Sequence, residues 1–135
     1  MTPRMLCRIL GYGLLLVGVA GFFAPRLLGM HLTTLHNIVH LATGALAIFF
    51  GHGGSPTAAR RFAFIFGLVY FGLGLLGFVA PDLTATLLGH GPVARGDLAP
   101  DNAVHLVLGG AFMLASAART RTAEPLTATE AARKR

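Results

Sequence analysis

Two phrases of this 135-residue chain hold most of its side chains with chemical capacity: His36-Asn37-Ile38-Val39-His40-Leu41-Ala42-Thr43-Gly44 and Asp101-Asn102-Ala103-Val104-His105-Leu106-Val107-Leu108-Gly109. Both contain the pattern Asn-x-Val-His-Leu-x-x-Gly, and both open a strongly apolar stretch. On a helix, Asn37 and His40 share a face, as do Asn102 and His105, and His36 and Asp101 sit one turn before the two shared histidines. Three imidazoles and a carboxylate at one level (His36, His40, Asp101 and His105) are a ligand set for zinc or copper. His40 and His105 are alternatively a pair that could hold a haem between helices, with Gly44 and Gly109 opening a slot. A third chemistry is a proton or small-solute path, since imidazole titrates near neutral pH. The plainest reading is structural: Asn37, His40, Asn102 and His105 hydrogen-bond across helices and fix their register, each bond contributing about 0.6 kcal/mol in membranes.

The elements that must position these residues read as membrane helices. Hydrophobic residues make up 54% of the chain and charged residues 12%, with a mean hydropathy of +0.68; soluble domains are about a quarter charged. Residues 9–25, 62–81 and 106–118 carry no Asp, Glu, Lys or Arg, nor do 41–50. The expected spans are about 6–23, 34–50, 62–79 and 100–118, each just long enough to cross a bilayer. Arg4, Arg8, Arg60, Arg61, Arg119, Arg121, Arg133, Lys134 and Arg135 fall on one side of those spans, and only Arg26 and Arg95 on the other. The positive-inside rule then places both termini in the cytoplasm and the 24–33 and 80–99 loops outside. The basic balance is a topology signal; no soluble basic face is left to bind nucleic acid.

An internal repeat supports keeping the first span as part of the fold rather than a cleaved signal peptide. Gly11, Gly18, Gly21, Phe22, Ala24 and Pro25 recur at constant offset as Gly67, Gly74, Gly77, Phe78, Ala80 and Pro81. The expected architecture is all-α: a four-transmembrane-helix bundle of two tandem hairpins, related by a pseudo-two-fold axis along the membrane normal. In that arrangement helices two and four are diagonal, and His40 faces His105. Gly11, Gly18, Gly21, Gly44, Gly67, Gly74, Gly77 and Gly109 are the expected close-packing positions, because small residues let membrane helices approach.

These segments resemble the domain-of-unknown-function 4383 family. The resemblance rests on the two Asn-x-Val-His-Leu phrases with Gly44 and Gly109, on Ala99-Pro100 before the second, and on the Gly18–Phe22 and Gly67–Tyr70 stretches. It spans about residues 8–118 and implies a small bacterial four-helix membrane protein, bringing no activity, substrate or cofactor with it.

The remaining residues narrow the functions further. Cys7 is the only cysteine and reads as an apolar filler. Gly51–Gly54 follows a helix and ends it, so it is no phosphate cradle. No nucleophile stands beside a base. His31 and His90 read as solvated loop residues, and residues 119–135 as a flexible basic cytoplasmic tail. The chain is therefore expected to be a multi-pass plasma-membrane protein with a structural or interaction role and no catalysis or cofactor. Its partners would be the bilayer, and a second copy or another membrane protein. The alternatives are a metal- or haem-binding redox protein centred on His40 and His105, then a solute or proton pathway built by an oligomer.

Overall fold

The computed structural model describes residues 2–91 and 96–118. Among them the helices are α1 (Pro3–Phe23), α2 (Thr34–His52), α3 (Pro56–Val79), α4 (Pro81–Leu87) and α5 (Ala99–Ala117), with a single-turn 3-10 helix at Leu27–Gly29 and no strand. The protein is all-helical. Arg95 and the expected tail at 119–135 lie outside the described residues.

The long helices start earlier than the apolar stretches. Proline occupies the first turn of α1 and of α3, where its missing N–H removes nothing. Thr2, Thr33 and Ser55 cap α1, α2 and α3, their hydroxyls accepting from the N–H of Met5, His36 and Ala58 at 3.1–3.2 Å. Helix α4 is an addition to the expected elements. Pro81 and Asp82 in its first turn restart a helix directly after α3 ends, within what the sequence presents as an outer loop.

Helices α1, α2 and α3 are each long and apolar enough to cross a membrane. The fourth long helix, α5, is 19 residues but less apolar, because Asp101, Asn102 and His105 lie in its first two turns. All three are buried, at 1%, 2% and 2% exposure. Its outward face is Val104, Val107 and Leu114, so the polar residues cost it little where lipid would touch it.

Helix α1 packs along α2, and α3 along α5; contacts between the two pairs are sparser. Glycines set both approaches. A Cβ on Gly11 would lie 2.9 Å from the Gly44 carbonyl, and one on Gly67 3.1 Å from the Gly109 carbonyl. Gly18 would meet Leu41 at 2.9 Å, and Gly74 the Leu106 side chain at 2.7 Å. Gly21 lies under the Asn37 side chain and Gly77 under that of Asn102. The other end of each pair is closed by an arginine. Arg4 donates to the carbonyls of Gly51 (3.2 Å) and His52, and Arg60 Nε to the Ser116 carbonyl at 2.9 Å. Each guanidinium satisfies carbonyls that the last turn of a helix leaves open.

The core between the pairs is an aromatic column. Phe62 stacks on Phe50 and Phe66, with ring centres 5.1 and 4.5 Å apart, and meets Phe112 edge-on at 6.0 Å. Phe112 stacks on Tyr70 at 6.2 Å, and Tyr70 on His105 at 5.7 Å. The column runs from the arginine end to the histidines.

Candidate metal centre

Helices α2 and α5 bring His36, His40 and His105 together. One ring nitrogen from each lies within 4.8 Å of the others, and the residues are only 1–3% exposed. Ring centres are 4.4 Å apart for His36 and His40, 5.3 Å for His36 and His105, and 6.4 Å for His40 and His105. The sequence already nominates all three, and the His40 and His105 ring centres come within 6.4 Å of each other.

A hydrogen bond orients the first of the three rings. His36 Nδ1 lies 3.3 Å from the His31 carbonyl. A carbonyl only accepts, so Nδ1 carries the hydrogen, which leaves Nε2 with a lone pair. That Nε2 is buried without a partner, as are Nδ1 of His40 and Nδ1 of His105. A metal-bound histidine typically has this outer arrangement, its second nitrogen donating to a carbonyl or carboxylate.

Asp101 stands beside the trio. Its carboxylate accepts the backbone N–H of His31 at 3.0 and 3.2 Å and lies 3.9 Å from His36 Nδ1. The spacing on α5 suggests a partnership between Asp101 and the His105 ring; the structure instead turns the carboxylate towards His31 and His36, across to the other helix pair. Asp101 is thus placed to lend negative charge and to hold the His31 loop, one shell out from the three imidazoles.

Asn37 and Asn102 take a different role. Their side chains fill the space over Gly21 and Gly77, and the Oδ1 of each is buried without a hydrogen bond. They are packing residues between the members of each helix pair. Nor do Gly44 and Gly109 open a slot between the histidines. Gly44 faces the Gly11 carbonyl and Leu15, and Gly109 faces the Phe71 backbone. The Tyr70 ring forms the floor, stacked 6.3 Å from His40 and 5.7 Å from His105, with its hydroxyl turned toward Thr43 without a well-formed hydrogen bond.

Two further histidines join from the loops. His90 meets His31 edge-on at 5.9 Å and His36 at 6.2 Å. Both are half-buried, whereas the sequence presents them as solvated. Burial lowers the His90 pKa from its ordinary value; Asp101 opposes this, while His36 and His31 add to it. Five of the six histidines therefore gather at one end. The sixth, His52, sits at the arginine end, where its Nε2 is 3.3 Å from the Tyr12 hydroxyl.

Comparison with protein-family models, curated proteins and solved structures gives no match to the chain. The histidine cluster and the apolar helices are what remain to define a class.

Proposed function

We propose that this is a multi-pass integral protein of the plasma membrane that binds one transition-metal ion, Zn2+ or copper, through His36, His40 and His105. The observation that carries the reading is the convergence of three buried imidazoles, each keeping a nitrogen without a partner. Each buried nitrogen left unpaired costs about 1–3 kcal/mol, and one metal ion would satisfy all three at once. Zinc–nitrogen bonds of about 2.0–2.1 Å require the three nitrogens to draw closer than their present separation, a change within reach of ring rotation. Neutral imidazoles suit zinc and copper, and Asp101 supplies compensating charge beside them. A haem fits less well. The His36 ring lies against both His40 and His105, within the area a porphyrin would cover.

The remaining features complete the reading. The helix pairs α1–α2 and α3–α5 act as two tandem hairpins about a pseudo-two-fold axis along the membrane normal. In support, glycine, asparagine and arginine contacts recur in both pairs. The arginine end faces the cytoplasm with both termini, and the histidine end faces outward. The resemblance to the domain-of-unknown-function 4383 family agrees with four membrane helices and adds no activity. On this reading the protein holds metal as a binding or delivery component that works with a second copy or another membrane protein.

Metal titration of the full chain tests this. Protein purified in mild detergent and stripped with a chelator is expected to take up about one Zn2+ or Co2+ per chain, reversibly on addition of chelator. His40→Ala and His105→Ala should each lose that uptake while retaining helix content. A wild-type chain that takes up neither metal, nor copper, would leave the histidines as packing residues.

A further inference from the structure

We propose that His31 and His90 form an outer station through which the metal reaches the buried trio. This inference rests on the metal-binding reading above and adds the route and the side from which the ion arrives. Five imidazoles make a continuous series. His31 and His90 stand 5.9 Å apart, His90 stands 6.2 Å from His36, and His36 is 4.4 and 5.3 Å from His40 and His105. Two imidazoles that share a metal at about 2 Å from each nitrogen have ring centres roughly 5–6 Å apart. The His31–His90, His90–His36 and His36–His105 steps are close to that spacing, so an ion can pass along them by exchanging one ligand at a time, and His40 lies closer still to His36. Exposure falls along it, from half-buried at His31 and His90 to 1% at His36, 3% at His40 and 2% at His105.

The station has ring nitrogens to offer. His31 Nδ1 and His90 Nε2 are buried without hydrogen-bond partners, as is His36 Nε2. Asp101 places its carboxylate between the outer and inner groups, held by the His31 N–H and 3.9 Å from His36. A cation moving inward passes this negative charge before it meets three neutral rings. Asp101 is thus suited to draw the ion in without being a ligand of the final site.

The two loops that carry these histidines are tied together. The Thr33 hydroxyl donates to the Leu88 carbonyl at 2.6 Å, while within the second loop the His90 N–H folds back to the Ala85 carbonyl of α4 at 2.8 Å. Gly89 turns the chain with a φ of +74°, and a Cβ there would lie 3.1 Å from the Leu35 side chain. The unexpected helix α4 has a purpose on this reading: it brings His90 back over the start of α2.

Loading kinetics of the full chain in lipid nanodiscs test the route. Co2+ is the probe, because its visible absorption reports coordination directly. The double variant His31→Gln/His90→Gln is expected to bind as much Co2+ at equilibrium as the wild type but to load several-fold more slowly. Each single variant, the safer choice for folding, should show an intermediate rate. A double variant that loads at the wild-type rate overturns the route and leaves the trio standing. A double variant that loses equilibrium binding makes His31 and His90 ligands of the final site and also overturns it. A wild-type chain that fails to bind any metal overturns the metal reading itself. In proteoliposomes of fixed orientation, loading should proceed from the histidine side; loading at equal rate from the arginine side would overturn the route as well.

Discussion

The side chain of Asn102 occupies the space that any residue other than glycine would need at position 77. The same relationship holds between Asn37 and Gly21. In both helix pairs a polar side chain is pressed against a bare backbone, and that contact fixes how closely the start of one helix meets the end of another.

Replacing either glycine should therefore be costly in a way that depends on position. Gly77→Val and Gly21→Val are expected to destabilise the protein by about 1–3 kcal/mol, the usual range for forcing methyl groups into a filled interface. A Cβ at Gly13 or Gly72 meets nothing within 4 Å, so Gly13→Val and Gly72→Val should be close to neutral. Thermal unfolding in detergent separates the two groups; equal losses at all four positions would contradict the packing described.

Asp101→Asn should keep an acceptor for the His31 N–H and remove the charge beside His36. On the metal reading its affinity for Zn2+ drops about 10–100-fold, the usual effect of losing a partner one shell out from the ligands, while its stoichiometry is unchanged. Competition against a chromophoric chelator measures this. Unaltered affinity would show that the carboxylate serves the loop alone.

Bound metal should also stabilise the fold. With ligand at about 100 times its dissociation constant, the gain is about 2.7 kcal/mol. The melting temperature should rise with Zn2+ in the wild type and not in His36→Ala. Chelation should reverse the rise.

Arg4→Met and Arg60→Met should each cost about 1 kcal/mol, because each removes a charged donor from the carbonyls that end a helix. The loss is expected to shrink at high salt, where the favourable interaction is already screened. A loss independent of salt would point to the aliphatic stems of the arginines rather than their charge.

Orientation has its own assay. A cysteine introduced as Gly91→Cys should react with a membrane-impermeant maleimide added outside intact cells, and one introduced as Thr57→Cys should not. Both positions are exposed, and the native Cys7 is buried. The opposite pattern would invert the protein in the membrane.

Much of this arrangement can be read from residue types and spacing. The repeated Asn-x-Val-His-Leu phrase places His40 and His105 at one depth, and the close-packing glycines are recognisable because they recur at a fixed offset. The same offset that relates Gly11 to Gly67 also relates Arg4 to Arg60, and the offset from His40 to His105 also relates Gly51 to Ser116. These matches could have revealed the arginine caps, but arginines outside a span are naturally read as orientation signals. His31 and His90 escaped for a different reason. Their meeting depends on a short helix inside a loop and on a hydrogen bond between two loops, and no periodicity records either. Spacing pairs Asp101 with His105 on the same helix, because it reports local partners and gives no hint of the His31 loop arriving from elsewhere.

The three clustered histidines are divided between the two helix pairs. His36 and His40 belong to the first helix pair and His105 to the second, and only Gly53, Gly54 and Ser55 join the two pairs. A bound ion would act as a rivet between two halves whose main contacts are internal. Cut at that short turn and produced as separate polypeptides, the halves would then find each other in the bilayer more readily when metal is supplied, so that the ion does the work of the missing peptide link.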